Sequence, residues 1–312
     1  MNSSFNAIPE LYVSLKPEGC GVSAKQELLG LVEDIRARQM LQLQKHIDQV
    51  PHEKLYLPLW AEIARAIPNV LLRSALFGIQ YRRQPEYLER KLIFALSGTS
   101  VFYTGPSLDQ FDLTVWESVL HATRARHLGD ECSVTAYQLL KLIRLEDTGP
   151  NRKLLNRRLS RLNATALDIQ NGALAYEGSL IDSVTRDHAT RHYVIKLNPK
   201  LRYLFEKDQW TALDWELRQQ LAGHPLALWL HGFYSTHAKP YAYSVDTLHS
   251  LCGSENRDPY GFKRDLRSAF ALITTVAASH SQVFQATFEG NLVHVTRTPT
   301  PSQKKYLQRH KT

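Results

Sequence analysis

Apolar side chains recur along this chain at the three- and four-residue steps of helices in some segments and at the alternating positions of strands in others. The first regular segment, 23–50, has leucine, isoleucine and valine at helical spacing and no proline, which predicts an amphipathic helix. Beyond residue 56 the helical and strand patterns alternate. We therefore expect an α+β fold that follows an N-terminal helical extension.

The pattern predicts the same order of elements twice. In the first half the expected elements are a helix at 68–79, a hairpin at 92–103, a helix at 109–124, a strand at 131–134, a short helix from Thr135, a long helix ending at 163, and strands at 166–170, 173–179 and 192–197. In the second half they are helices at 211–221 and 225–236, a strand at 242–245, a short helix from Asp246, a long helix ending at 276, and a hairpin at 282–296.

A short sequence echo supports this duplication. Residues 243–246, Tyr-Ser-Val-Asp, resemble 132–135, Cys-Ser-Val-Thr, and Asp246 and Thr135 are each expected to cap the short helix that follows. Helix, strand, helix, longer helix and hairpin is the order of a winged helix-turn-helix. We predict an N-terminal arm and helix at 1–55, winged-helix domains at 56–200 and 201–297, and a basic, flexible C-terminal tail at 298–312.

Composition and charge narrow the functional class. The chain has 312 residues, 43% of them hydrophobic and 22% charged, and its three cysteines form no disulfide framework. It shows neither a signal peptide nor an apolar run long enough to cross a bilayer, so we expect a cytoplasmic protein with no membrane partner. Residues 1–148 carry 16 basic and 17 acidic side chains, whereas 149–312 carry 22 and 13. This one-sided surplus favours a polyanionic partner such as nucleic acid.

The long helix of each predicted winged domain concentrates basic residues. Segment 149–163 contains five basic residues and no acid, with Leu155, Leu159 and Leu162 on its buried side. The alternative is a solvated amphipathic helix, but such a surface usually interleaves glutamate with lysine. The predicted DNA-binding residues of this helix are Asn151, Arg152, Lys153, Asn156, Arg157, Ser160 and Arg161. Those of the second long helix are Arg257, Tyr260, Lys263, Arg264 and Arg267, and those of the first wing are Arg186 and Arg191.

Signatures of catalysis are missing from the sequence. It contains neither a GxxxxGK[ST] phosphate-binding loop nor a His-x-His pair that could hold a metal beside a nucleophilic tyrosine. Asp187, His188 and His192 lack the spacing of a known metal motif. We therefore expect no enzymatic activity, no cofactor and no metal; a metal-dependent nickase is the rival enzyme hypothesis.

Several segments, in order, resemble the TrfA family of plasmid replication initiators. They are Leu-Pro-Leu-Trp at 57–60, Arg-Ser-Ala-Leu-Phe at 73–77, Tyr-Thr-Gly at 103–105, Leu-Asn-Ala-Thr-Ala-Leu at 162–167, Leu-Trp-Leu-His at 228–231 and Leu-Cys-Gly-Ser at 251–254. The resemblance implies tandem winged-helix domains that bind double-stranded iteron repeats and open an adjacent AT-rich segment, which would also be bound as single-stranded DNA. It further implies recruitment of host DnaA, the DnaB helicase and the sliding clamp, and an exchange between DNA-binding monomers and inactive homodimers. The alternative is a winged-helix transcriptional regulator of plasmid genes without initiator activity.

The resemblance also suggests a clamp-binding peptide. Family members carry Gln-Leu-x-Leu-Phe ahead of the first winged domain, and this chain has Leu57, Leu59 and Trp60 at the matching positions, with Tyr56 in place of glutamine. The alternative is that Leu59 and Trp60 simply pack on the first domain.

Overall fold

The computed structural model describes residues 55–309 apart from 81–83, 97, 173, 188–189 and 191. The contacts divide the chain into two units, 1–53 and 54–312. The predicted amphipathic helix at 23–50 and nearly all of the predicted N-terminal arm lie outside the described residues. The described residues all belong to the second unit.

The described residues form a mixed α+β fold, as predicted. Its α-helices are α1 (Asn69–Leu72), α2 (Gln110–Thr123), α3 (Ala136–Leu142), α4 (Gly149–Asn163), α5 (Trp215–Gln220), α6 (Pro225–Ser235), α7 (Val245–Leu251), α8 (Pro259–Ser279) and α9 (Pro301–Arg309). A 3₁₀-helix, Pro199–Phe205, precedes α5. None of the helices described here has the length and apolarity that a bilayer crossing requires.

The described strands are short and mostly antiparallel. They are β1 (Ala64–Pro68), β2 (Phe77–Gly78), β3 (Tyr87–Ile93), β4 (Thr99–Pro106), β5 (Leu108–Asp109), β6 (Glu131–Thr135), β7 (Ala166–Asn171), β8 (Leu174–Gly178), β9 (Ser183–Arg186), β10 (His192–Lys196), β11 (Trp210–Asp214), β12 (Tyr243–Ser244), β13 (Phe284–Glu289) and β14 (Leu292–Arg297). β9 was not predicted from the sequence.

The two predicted domains, 56–200 and 201–297, are called the first and second halves from here on. They share one sheet arrangement. In the first, the strands pair in the order β6-β10-β9, and in the second in the order β12-β14-β13. Each time, the strand that precedes the short helix pairs with the last strand of the hairpin. The first half also contains an extra four-stranded sheet, β3-β4-β7-β8, whose second pair of strands lies between α4 and the hairpin in the sequence. The duplicated order of elements is therefore accompanied by a duplicated sheet topology.

Two predicted helices are wrong in part, for a common reason. Segment 68–79 forms a helix only over Asn69–Leu72 and then pairs as β2 with β5. Segment 211–221 is a helix only from Trp215, because residues 210–214 form β11, which pairs with β1. In both cases the partner strand lies outside the reach of a local hydrophobic pattern: β5 follows β2 by about 30 residues, and β1 precedes β11 by more than a hundred.

One of the two predicted helix caps is confirmed. Thr135 caps α3, since its hydroxyl accepts a hydrogen bond from the backbone N–H of Gln138 at 3.0 Å. The cap of α7 is Ser244 and not Asp246 as predicted. Asp246 lies in the first turn, where a carboxylate still interacts favourably with the helix dipole.

The C-terminal tail contains more structure than predicted. Residues 301–309 form α9, and its Gln303 side chain accepts a hydrogen bond from Arg297 at 2.8 Å and donates one to the carbonyl of Ser235 at 2.8 Å. Gln303 therefore attaches the start of the tail to the end of α6.

The apolar interior consists of two clusters. One collects buried side chains between Leu57 and Leu213, and the other collects those between Leu217 and Val295. The first cluster continues past residue 200, the predicted domain boundary, because β11 pairs with β1. Each cluster supports one of the two long basic helices, α4 and α8.

Candidate nucleic-acid interface

The first basic helix, α4, has the two sides that its sequence predicts. Thr148 caps it and proline occupies its first turn, which ends the preceding loop and begins the helix. Leu155, Leu159 and Leu162 are buried. Lys153, Arg157 and Ser160 are exposed on the other side, and Asn156 is half-buried. The helix therefore presents hydrogen-bond donors and positive charge to solvent.

Buried ion pairs attach α4 to α2. Nη1 of Arg158 lies 2.7 Å from Oδ2 of Asp109 and 3.0 Å from Oδ1 of Asp112. Arg161 pairs with Asp112 at 2.8 Å and also donates to the carbonyl of Ser107. Burial raises the pKa of Asp112 to about 6; the neighbouring Asp109 carboxylate adds to this shift and the two arginines oppose it. These contacts fix the position of α4 on α2.

Three predicted DNA-binding residues of α4 have partners within the protein. Arg161 is mostly buried in the ion pairs just described, so its position does not support the predicted DNA contact. Arg152 forms a two-pronged pair with Asp147, with distances of 2.5 and 2.6 Å. Asn151 donates from its side chain to the carbonyl of Glu146 at 2.8 Å. Lys153 and Arg157 are therefore the basic side chains of α4 most accessible to a ligand.

A basic groove lies between α4 and β9. Its volume is about 840 Å³. The lining residues are Gly149, Pro150, Arg152, Lys153, Asn156, Arg157 and Arg186. The guanidinium of Arg186 lies 6.0 Å from the centre of the Tyr193 ring, which orients it at the edge of the sheet. Arg191, also predicted to bind DNA, lies outside the described residues. The groove collects four basic side chains around one concave surface.

The second basic helix, α8, is longer and also two-sided. Its buried side carries Phe262, Leu266, Ala269, Phe270 and Ile273, as predicted. Its exposed side carries Tyr260, Arg264 and Arg267, and Tyr260 has 88% of its surface exposed. Arg257, just before the helix, is also exposed.

The hairpin formed by β13 and β14 contacts the second basic helix. Nζ of Lys263 donates to the carbonyl of Gly290 in the hairpin turn at 2.6 Å. The guanidinium of Arg267 lies 5.1 Å from the centre of the Phe288 ring. Lys263 thus has a partner in the protein, while Arg264 projects from the middle of the exposed side of α8.

The groove beside α8 differs from the first in charge. It has a volume of about 790 Å³. Its lining residues are Val245, Asp246, His249, Ser254, Glu255, Asn256, Arg257, Pro259 and Phe262. The groove therefore contains both acidic and basic side chains. The basic surface of this half is instead the exposed side of α8 that carries Arg264 and Arg267.

The segment predicted to bind the clamp is partly packed on the first half. Leu57 is buried, and Trp60 donates from Nε1 to Nδ1 of His121 at 3.0 Å and stacks on Phe205. Leu59, in contrast, has 78% of its surface exposed. Trp60 therefore packs on the first domain, as the alternative to clamp binding predicts, whereas Leu59 does not.

Sequence reasoning missed the buried charges that hold these surfaces. One signal was present: Arg158 lies three residues after Leu155 and four before Leu162, which places it on the buried side of α4. The pairing of Glu117 with Arg218 had no local signal, because the two residues lie 101 positions apart. Among the residues that the structure describes, no group of histidine, cysteine, aspartate and glutamate is arranged to hold a metal ion.

Comparison with known proteins supports the resemblance found in the sequence. A family model described as TrfA protein matches residues 23–297. The chain is 28% identical over 205 residues to the plasmid replication initiator protein TrfA of Escherichia coli, a match that covers 63% of this chain and 53% of that protein. The chain thus spans about half the length of this relative. Both matches point to one family, which includes a plasmid replication initiator. The chain belongs to the TrfA family.

Two solved structures, both of domains 2 and 3 of RctB, are also similar. One matches with a TM-score of 0.47 and 12% identity, over 70% of this chain and 92% of the solved one. The other matches with a TM-score of 0.45 and 11% identity, over 73% and 97%.

Proposed function

We propose that this chain initiates plasmid replication by binding iteron repeats in double-stranded origin DNA through two winged-helix domains. In this proposal α4 and α8 enter successive major grooves, and the hairpins contact phosphates. The protein then opens an adjacent AT-rich segment, binds its single strands, and recruits host DnaA, the DnaB helicase and the sliding clamp. It exchanges between monomer and homodimer, and it acts without catalysis.

The observation that carries the proposal is the equivalent placement of two exposed basic helices. Each follows a short capped helix, and each precedes a hairpin whose last strand pairs with the strand before that short helix. This is the arrangement in which a helix-turn-helix inserts its second helix into a major groove. Arginine can form two hydrogen bonds with guanine, so Arg157 and Arg264 are the proposed base contacts. Recruitment of host proteins is proposed from family membership alone.

Footprinting of the DNA that flanks the chain's own gene tests the proposal. We expect regularly spaced protections, each about two helical turns long, because each monomer covers two successive grooves. One isolated palindromic protection would instead indicate a promoter-binding regulator. Supercoiled plasmid carrying the same DNA should remain closed after incubation with the protein and Mg²⁺. A nicked product would contradict the non-enzymatic proposal.

Alanine substitution of Arg157 or Arg264 should weaken binding to the footprinted repeat by about 1–3 kcal/mol and relax the base preference at one position. Each side chain is exposed on its helix, so the loss reflects DNA contact and not unfolding. The measurement is fluorescence anisotropy against the repeat and its single-base variants. Arg90→Gln, an exposed arginine of β3 outside both basic helices, is the control and should bind normally. Equal loss on random DNA would show that the arginines contact only phosphate.

A further inference from the structure

We propose that a buried network centred on Glu117 and Arg218 holds the two basic helices at one fixed separation, so that the protein accepts only one spacing between the two DNA segments they contact. This inference rests on the proposed function, in which α4 and α8 bind one duplex. Neither Glu117 nor Arg218 can touch DNA, because their surfaces are 0% and 1% exposed. Both are positioning residues.

The network starts at the first basic helix. Arg158 of α4 pairs with Asp109 and Asp112 at 2.7 and 3.0 Å, and Asp109 caps α2 by accepting from the N–H of Asp112. Both carboxylates thus belong to the first turn of α2. Any rotation of α4 against α2 would separate buried opposite charges, which is strongly unfavourable.

The same helix, α2, holds Arg218 of α5. Nε of Arg218 lies 2.9 Å from Oε2 of Glu117, and Nη2 donates to Oε1 of Gln110 at 3.3 Å. Gln110 in turn donates to the carbonyl of Phe77 at 2.5 Å. Arg218 therefore bonds to two residues on one side of α2, about two turns apart.

The third nitrogen of Arg218 contacts the helix that supports the second basic helix. Nη1 donates to the carbonyl of Leu228 in α6 at 3.1 Å. α6 packs directly on the second basic helix, where the rings of Tyr234 and Phe270 lie 5.9 Å apart. Both α6 and α8 belong to the second apolar cluster. An unbroken series of buried contacts thus runs from α4 through α2 and Arg218 to α6 and α8.

A second link lies beside the first. The guanidinium of Arg73 donates to Oγ1 of Thr236 at 2.8 Å and to its carbonyl at 2.7 Å. Trp229 of α6 also donates to the carbonyl of Ser74 at 3.4 Å. These contacts resist a hinge motion about Arg218, because they join the halves at a different point.

A fixed separation has a measurable consequence on DNA. One inserted base pair shifts the second contacted segment by about 3.4 Å and rotates it by about 35° around the duplex axis. A protein whose two halves are rigidly joined cannot follow this change and loses the contacts of one half. A flexibly joined protein would follow it at little cost.

The probe for the experiment is the duplex that the full chain selects from a random library, with its two protected segments mapped. We define the spacing penalty as the Kd for this duplex with one base pair inserted between the segments, divided by the Kd for the unaltered duplex. The wild-type penalty should be at least about 30-fold, since losing the contacts of one half costs at least as much as one or two mismatched base pairs. Glu117→Leu with Arg218→Met removes the first link and Arg73→Met removes the second, so this triple variant should lower the penalty to below about 5-fold.

A matched control exists on the surface. Arg144 and Glu216 also form an ion pair, but both side chains are nearly half exposed and neither belongs to the network. Arg144→Met with Glu216→Leu should keep the wild-type spacing penalty. Thermal unfolding establishes that each variant is folded. If the buried triple variant does not fold, Gln110→Met with Arg73→Met, which removes the amide that contacts Arg218 and Phe77 together with the second link, should give an intermediate penalty.

The outcomes separate the inference from the proposed function. A wild-type penalty below about 5-fold, or an unchanged penalty in the folded buried variants, would overturn the fixed separation. Protection of only one DNA segment would overturn it as well. Failure of the full chain to select any sequence would instead contradict the proposed function itself.

Discussion

Replacing Arg218 with alanine should lower the free energy of unfolding by about 3–5 kcal/mol, because the substitution leaves a buried carboxylate without its partner. Glu117 is completely buried, and burial raises its pKa while Arg218 opposes that shift. Without the guanidinium, Glu117 must either remain charged in an apolar interior or take up a proton. Gln110 and the carbonyl of Leu228 would each lose a hydrogen-bond donor as well.

Urea unfolding at neutral pH measures this effect, and the surface offers its control. Arg144→Ala removes an ion pair with Glu216 in which both side chains are about half exposed, so the cost should be about 0–1 kcal/mol. Adding Glu117→Leu to an Arg218→Met background should restore most of the stability, since no charge then remains buried. A loss below about 1 kcal/mol for Arg218→Ala would mean that water reaches Glu117 in the folded protein.

Lowering the pH from 7.5 to 5 should destabilise the second half through two buried histidines. Burial, together with the positive charges of Arg218 and Arg297, lowers the pKa of His231 to about 3. Burial likewise lowers the pKa of His237 to about 4, with Arg73 and Arg297 contributing and a hydrogen bond to Phe233 opposing. Both rings are therefore neutral in the folded protein at pH 5.

The sign of this effect follows from which state binds protons first. In the unfolded chain a histidine has a pKa near 6.5, so protons bind there first as the pH falls. The stabilising contribution is complete above that value and is lost progressively as the pH decreases toward the folded pKa. At pH 5 the loss is about 2 kcal/mol for each histidine.

Comparison of urea unfolding at the two pH values, for wild type and His231→Phe, isolates the contribution of one ring. The variant should lose about 2 kcal/mol less than wild type between pH 7.5 and 5. His224→Phe is the control, because solvent reaches His224 in the folded and unfolded chain alike. An identical loss in wild type and His231→Phe would show that the ring is already protonated in the folded protein or reached by water.

The residues of the site that could be predicted were those whose exposure follows from the spacing of apolar residues along one helix. Arg157 and Arg264 were expected on the exposed sides of two long helices because they lie opposite an apolar stripe, and both are exposed there. Arg161 lies on the flank of that stripe, where spacing alone does not distinguish solvent from a buried carboxylate. Only the position of Asp112 on a neighbouring helix shows which of the two surrounds it.

The sequence by itself determined the order and class of most elements, the helix cap at Thr135, and the concentration of positive charge on two helices. These properties depend on residues three or four positions apart, whose interactions any helix of that sequence makes. Tertiary structure alone decided that residues 210–214 form a strand beside β1 and that Glu117 meets Arg218. The strand pairing and the ion pair each join residues that lie a hundred or more positions apart. A local pattern cannot indicate such partners, because only folding of the whole chain brings their atoms within bonding distance.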